Sequence, residues 1–550
     1  MVRFRDTGEP AWRMEECREA NMNSKRLPLL LLGWVCLPAT LLCAEGLPVK
    51  SQLVRDACGA CHRVDAQQRM SRISYARKTP EGWEETVQRM VRLHKVPLSS
   101  SDAREIVRYL SDSQGLTASE LEKVSYALEQ RDEPEQVPNE AAKKACSTCH
   151  SYAKVALQRR TKEEWFKLKD FLLALYPTLV YQHRQIDWPA VADEALTYFA
   201  QQFPLETPEW RREKDQPAPG DSTWLVVGSE RGRGDYVGQA SLKTGADGSR
   251  EVQTSVEYAD GVKATLRGQG RFFAGCSWRG SMEWQDGRKV REVFHLSADG
   301  NTLKGRWYLY DHPEIGGDEV LYRIDAQPRI AAVFPRAVKR GVKNAEITIY
   351  GSNFQGLKTD SLSLGEGVKI DKINSSADRA TLQISVAPDA KIGHRDVRFG
   401  TATGKELFTV YDTVDYIRVF PEQAMARIGG ERLPKKLTQF EARAFSKGSP
   451  SATNTIGDLD LGPVKVTWRV NEAASSIDDN DIKYVGSIDS NGLFTPAVEG
   501  PNPERFRSTN NAGDIWVEAS YAPVAGDTQT LTARGYLIVA VPLYRRSLIP

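Results

Sequence analysis

From residue 45 to about 212 the chain is helical in pattern: apolar and charged residues alternate at helical spacing and glycines are few. The run Asp102-Ala103-Arg104-Glu105-Ile106-Val107-Arg108-Tyr109-Leu110 is typical. Leu98-Ser99-Ser100-Ser101-Asp102 ahead of it supplies an N-cap, and Glu105 is expected in the first turn, where the macrodipole favours an acid. From Pro217 onward the period shortens to two, with short strands separated by Gly, Asn and Asp turns. Ala246-Asp247-Gly248 and Ala298-Asp299-Gly300-Asn301 read as hairpin turns.

The β half divides into three. Residues 215–327 carry Trp224, Trp278, Trp284 and Trp307 through a strand-rich stretch, which predicts a small antiparallel barrel or sandwich. Residues 328–415 run from Pro328 to Pro335 and on through Ile347-Thr348-Ile349-Tyr350-Gly351-Ser352-Asn353-Phe354. That opening resembles immunoglobulin-like domains of the IPT/TIG type, whose Gly-x-Asn-Phe turn follows the second strand. In residues 416–550, Val464, Val466, Trp468 and Val470 fall on one strand face, and Gly492-Leu493-Phe494 turns into another strand. A second immunoglobulin-like sandwich is expected there. The fold class is therefore multidomain, α followed by all-β.

At 550 residues the chain exceeds one core, and a net charge of +2 gives neither a nucleic-acid footprint nor a basic membrane face. Residues 1–44 read as a signal region. Lys25 and Arg26 precede an apolar stretch, Leu27 to Leu42, that is short for a span, with cleavage after Ala44 and Met22 as an alternative start. A lipoprotein reading through Cys43 is weak, because Thr40 stands where leucine is usual. An exported, periplasmic protein without a membrane span is expected. Cys17, Cys36 and Cys43 leave with the leader, and Cys276 reads as a buried, inert thiol.

The chemistry rests on two short segments, Cys58-Gly59-Ala60-Cys61-His62 and Cys146-Ser147-Thr148-Cys149-His150. Each is a C-x-x-C-H, the attachment signature of a c-type haem: two cysteines for thioether bonds, and a histidine for the iron. The surroundings repeat. Thr79-Pro80-Glu81-Gly82-Trp83 follows the first and Thr161-Lys162-Glu163-Glu164-Trp165 the second, and each unit ends in a helix, at Tyr109 and Tyr198. Two tandem class-I-like cytochrome c domains are expected, 45–130 and 131–214, joined by the Glu- and Pro-rich linker 131–140 and carrying two covalently bound haem c.

His62 and His150 are the proximal ligands on this reading, and the opposite ligands set potential and reactivity. No methionine occurs between Met90 and Met282, so the second haem has none in its own domain. His183 is the only histidine there besides His150, which points to bis-histidine ligation; an open iron is the alternative. For the first haem, Met90 and His94 lie four apart on one predicted helix. The count back from Tyr109 to His94 equals that from Tyr198 to His183, favouring His94. Resemblance of Trp83-x6-Met90 to small periplasmic cytochromes favours Met90, which is preferred; Met70 is a distant third. His295, His312 and His394 lack metal-like spacing, and Arg233-Gly234-Asp235 reads as a turn. No nucleophile elbow, P-loop or dinucleotide fingerprint is present, so no substrate site is expected on this chain.

Two haem repeats followed by three β domains resemble the alpha subunit of the quinohemoprotein amine dehydrogenases over the whole mature chain. The C-x-x-C-H pair, the Thr79–Trp83 stretch with Arg89-Met90, and the Pro328 to Phe354 opening carry the resemblance. It implies a heterotrimer, in which a small gamma subunit bears the cysteine tryptophylquinone that oxidises primary amines and a beta subunit forms a propeller. It also implies that this chain passes electrons from the quinone through its haems to a soluble cupredoxin or cytochrome c. Two other readings compete: a self-contained di-haem peroxidase with an open iron, and an adhesive or carbohydrate-binding module with a cytochrome head.

Overall fold

Every long helix of the first part starts at a capping side chain. Thr79 Oγ1 accepts from Gly82 N at 3.2 Å to start Pro80–His94, and Ser99 Oγ accepts from Asp102 N at 3.0 Å to start Ser100–Ser113. Thr161 starts Lys162–Leu175 and Asp187 starts Trp188–Gln202 in the same way. Because the serine cap is Ser99, Asp102 occupies the first turn and Glu105 falls beyond it, where it pairs with Arg108 at 2.5 Å. The expectation for Glu105 was one turn out.

The computed structural model of the chain describes residues 46–430, 433–448, 450–451, 454–455, 457–473, 480–522 and 530–542. The signal region 1–44, with Met22 and the proposed cleavage after Ala44, lies outside them. No helix among the described residues is long and apolar enough to cross a membrane.

The repeat is visible as structure. Each unit has a short helix entering the C-x-x-C-H loop, a three-residue strand, a long Thr-capped helix and a closing helix. Trp83 Nε1 donates to the carbonyl of Gln114, the C-cap of the first closing helix, at 3.1 Å. Trp165 Nε1 does the same to Phe203, the C-cap of the second, at 3.0 Å. These bonds span 31 residues in the first repeat and 38 in the second, so the second holds seven more, 38 − 31. His183 sits in that longer stretch as the C-cap of a separate short helix, Leu179–Gln182, whereas His94 ends the long Pro80–His94 helix. Equal counts back from the tyrosines therefore do not put the two histidines in equivalent places. The strands Ala76–Lys78 and Gln158–Arg160 pair antiparallel, with Arg77 opposite Arg159, and tie the repeats together. The 131–140 linker is pinned: Glu135 accepts from Tyr126 Oη and from the amides of Tyr152 and Ala153.

Ser222–Glu230 to Gly316–Arg323 form a closed barrel of eight strands, each paired with its neighbour in sequence and the last with the first. Strict alternation points Trp224, Trp278, Trp284 and Trp307 inward, all at most 2% exposed. Gly248 (φ 80°) and Gly300 (φ 73°) make the two expected hairpin turns. One outer face of the barrel seats the helical part. Arg279 pairs with Glu81 at 2.5 Å, Ala274 N donates to Asp112, and Val293 packs with Leu116, Leu121 and Leu128.

Beyond the barrel, residues 329–411 fold as two four-stranded sheets around one core of Ile347, Ile349, Phe354, Leu382, Val397 and Phe408. Asn353 (φ 60°) makes the Gly-x-Asn-Phe turn, and its amide donates to the carbonyls of Asp325 and Gln327 in the barrel's exit. From Tyr416 on, three- and four-stranded sheets enclose Ile417, Phe440, Phe494, Val517 and Leu537. Val464, Val466, Trp468 and Val470 all pack on that core, although the strand itself is Thr467–Glu472. The chain is thus mostly β, with a helical part at its beginning.

Candidate functional site

The two C-x-x-C-H loops are built alike. The Gln52–Cys58 helix ends at Cys58, and the amides of Gly59 and His62 fold back on Arg55 O and Cys58 O, at 2.8 and 2.9 Å. In the second loop Cys146 caps Glu140–Ala145, and Cys149 N donates to Cys146 O at 3.2 Å. All four cysteines are free thiols; Cys61 and Cys149 are exposed, Cys58 and Cys146 half-buried. Burial first, and then Cys149 beside it, push the Cys146 thiol up to about 12.

His62 Nδ1 lies 2.8 Å from Ser71 O, and His150 Nδ1 lies 2.9 Å from Ser151 O. A carbonyl only accepts, so Nδ1 carries the proton in both rings and Nε2 keeps its lone pair. Burial lowers the pKa of His150, which favours the neutral ring. A backbone carbonyl on the far nitrogen fixes the tautomer, orients the ring and raises its basicity as a ligand.

The structure places the remaining candidates unequally. Met90 is half-buried on Pro80–His94, and His94 is exposed at its end. Met70 is fully buried among Val49, Val54, Ile73 and Trp83, as a packing residue. His183 comes to the second loop: Nδ1 donates to Leu179 O at 3.0 Å, and Nε2 meets the Thr148 hydroxyl, inside the C-x-x-C, at 2.9 Å. Among the described residues, no three His, Cys, Asp or Glu side chains converge as a metal-ion site would require. His312 pairs with Glu314, and His394 with the Thr409 hydroxyl. His295 leaves both ring nitrogens without partners, and burial first, with Arg279 adding, pushes its pKa down to about 3. Cys276 is buried in the barrel, its Sγ 3.7 Å from Leu116 O.

Beside Cys146 and His150 opens a cavity of ≈ 380 Å³. One wall is apolar, with Trp165, Leu168, Phe171, Leu172, Leu196 and Phe199 from the second repeat. The other comes from the first repeat, Lys78 to Arg89, closed by Tyr308 from the barrel. The second site therefore lies between the two repeats. An apolar wall beside a histidine whose Nε2 is free and the Cys146 thiol fits an attached haem. His183 is not among the lining residues. Sequence reasoning missed the basic side of this cavity, Lys78, Arg89, Lys154 and Arg160. The signal lay one step before the repeat: Arg77-Lys78-Thr79 matches Arg159-Arg160-Thr161.

Four family models cover the chain. Residues 49–210 match the haem-binding region of quinohemoprotein amine dehydrogenase A, alpha subunit. Residues 217–323, 327–412 and 417–548 match domains II, III and IV of the quinohemoprotein amine dehydrogenase alpha subunit. No curated protein matches. Solved structures are similar at low TM-score, among them the following two. A redesigned beta barrel is 16% identical over 21% of this chain and 96% of its own, at TM-score 0.17. Human mucin-like protocadherin EC1-2 is 12% identical over 40% of this chain and 98% of its own, at 0.16.

Proposed function

The chain belongs to the quinohemoprotein amine dehydrogenase alpha-subunit family, and on that premise we propose that it is the di-haem electron-transfer subunit of a periplasmic amine dehydrogenase. The family makes it a subunit of an oxidoreductase with a haem-binding region. The reading goes further, to two haem c bound through Cys58 and Cys61 and through Cys146 and Cys149. The observation that carries it is the matched pair of loops, each with a histidine whose Nδ1–H is spent on a backbone carbonyl.

Haem at these positions supplies one-electron storage and transfer. His62 and His150 would hold the iron through Nε2, with Met90, in preference to His94, as a further ligand at the first haem and His183 at the second. The apolar wall of the second cavity would shield one side of its cofactor. A soluble acceptor, a cupredoxin or cytochrome c, would meet either site beside its exposed cysteine, Cys61 or Cys149. The two repeats are read as cytochrome c domains, 45–130 and 131–214. The domains 328–415 and 416–550 are read as immunoglobulin-like sandwiches that, with the barrel of 215–327, dock the propeller and the small quinone-bearing subunit. Export through residues 1–44 brings the chain to the periplasm, where c-type haem is attached.

The test is purification from the native host. Two covalent haems per chain, co-purifying partner chains and haem reduction by a primary amine in the complex are expected. A lone monomer unresponsive to amine refutes the proposal. A second reading, an open haem iron handling peroxide, draws on the cavity lining, which holds His150 and not His183. Amine-independent peroxidase turnover by the isolated chain selects it.

A further inference from the structure

The cavity beside His150 is ringed by cations that its own carboxylates do not balance. Lys78, Arg89, Lys154 and Arg160 all line it. Besides burial, Lys78 feels Arg160, Arg89 and Lys154 against the single pull of Glu85, and Arg160 feels Glu164 against Arg72 and Arg89. Lys78 is 9% exposed and Arg160 is 7% exposed. Of the two glutamates in the lining, Glu81 is committed to Arg279 at 2.5 Å and Glu85 lies 3.5 Å from Lys154. Among the described residues no carboxylate comes within 4.0 Å of Lys78, Arg89 or Arg160.

What these cations do have is neutral. Lys78 Nζ donates to Thr86 Oγ1 at 2.6 Å, and Arg160 Nε to Gln158 Oε1 at 2.9 Å. Ring faces help: Lys78 stands 5.3 Å over Trp83, Arg89 5.2 Å over Phe171 and Arg160 5.8 Å over Trp165. Such contacts offset only part of the cost of removing an ion from water. Four cations set against the more distant charges of Glu85 and Glu164 are costly to bury, and the same ring opens on an apolar wall. A ligand with an apolar plate and an anionic edge satisfies both at once.

Resting on the two-haem reading above, we propose that Lys78 and Arg160, with Arg89 and Lys154 at the rim, bind the propionates of the haem attached at Cys146 and Cys149 and raise its reduction potential. The sign follows from charge. Reduction adds one electron to the cofactor, so a fixed cation stabilises the reduced form and its loss lowers the potential. Because Lys78 belongs to the first repeat, the second haem is held by both units.

The experiment uses the full haem-loaded chain, wild type and the double variant Lys78→Met/Arg160→Met, with covalent haem counted by pyridine haemochrome and midpoints read by spectroelectrochemical titration. One midpoint is expected to fall by about tenfold in the reduction equilibrium, ~59 mV for one electron. The other is expected to stay in place, and haem content to remain at two. Lys78→Arg/Arg160→Lys keeps the charges and should hold the wild-type potential. Arg89→Gln, at a half-exposed position, should lower the same midpoint even where the buried changes prevent folding. Unchanged midpoints at full haem content overturn the assignment, as does conversion of one haem to high spin in Lys78→Met, which would make Lys78 an iron ligand. A wild-type chain with fewer than two covalent haems overturns the underlying reading instead.

Discussion

Arg77 and Arg159 stand opposite each other in a two-stranded ribbon, and both guanidinium groups close on one carboxylate, Glu120. Arg77 donates to both its oxygens at 2.9 and 2.7 Å, Arg159 Nε donates at 3.2 Å, and the Thr207 hydroxyl adds a bond at 2.7 Å. The arginines are equivalent residues of the two repeats, so a single acid joins the units that hold the two attachment loops. Their side chains are 0% and 5% exposed, and that of Glu120 is 1% exposed.

Glu120→Gln should therefore be strongly destabilising, by about 3–5 kcal/mol, because it strands two buried cations. Burial alone would raise the pKa of Glu120, but the hydrogen bond and charge of Arg77, with Arg159, bring it down to about 2. A folded-state value below the unfolded one gives stability that is complete above about pH 4.5 and is lost as pH falls toward about 2. Its size is roughly 3 kcal/mol. Urea unfolding followed by circular dichroism should show the wild-type advantage over Glu120→Gln at pH 7 shrinking at pH 3. A constant difference would mean that the carboxylate charge is not what holds the ribbon.

Much of this arrangement was legible before any coordinates. The matched Thr79–Trp83 and Thr161–Trp165 stretches marked equivalent points of the repeat, and they fold to equivalent helix starts and equivalent indole bonds. Equal spacing misled for His94 and His183, because the seven additional residues of the second repeat fold as a local detour that a count cannot see. The barrel was left undecided against a sandwich for a similar reason. Closure depends on Ser222–Glu230 pairing with Gly316–Arg323, and alternation within a strand says which side is buried but not which distant strand lies beside it. The match of Arg77-Lys78-Thr79 to Arg159-Arg160-Thr161 signals the basic rim only in part, because the ribbon that brings Lys78 and Arg160 to one cavity is a long-range pairing.

The Trp pair tests whether the repeats are energetically as well as geometrically equivalent. Trp83→Phe and Trp165→Phe each remove one indole N–H from a helix-capping carbonyl while keeping an aromatic ring in place. Each should cost about 0.5–1.5 kcal/mol for the bond, with a further loss for the smaller ring. Thermal unfolding of the two variants should show similar losses. A loss confined to one of them would mean that only that repeat depends on the clasp.

The barrel carries a pH dependence of opposite sign. Burial raises Glu292 to about 7, against the pull of the Trp278 N–H. Burial and then the Glu292 charge raise Glu319 to about 8. Folded-state values above the unfolded one mean that the folded barrel holds its protons more tightly, so stability declines as pH rises from about 4.5 through 7 and 8. Glu319→Gln keeps an acceptor for the Tyr236 hydroxyl, which donates at 2.6 Å, and removes the charge. The variant should melt higher than wild type at pH 9 and close to it at pH 5. Equal melting temperatures at pH 9 would show the carboxyl to be relieved by some other group.

If His62 and His150 hold iron as proposed, the further ligands are open to a direct decision. His183 has Nδ1–H on Leu179 O, as His62 and His150 have theirs on carbonyls, and only the Thr148 hydroxyl engages its Nε2. Exchanging that one hydrogen bond for a metal bond frees no buried donor, since Thr148 is exposed. His183→Ala should convert one haem of the loaded chain to high spin, and Thr148→Val should leave both low-spin. Met90 is half-buried where His94 is exposed, so Met90→Ala should abolish the methionine–iron charge-transfer band and His94→Ala should preserve it. Magnetic circular dichroism of the four variants reads all of this at once. Two low-spin haems in His183→Ala would remove that residue from the iron, and a band lost only in His94→Ala would reverse the order of Met90 and His94.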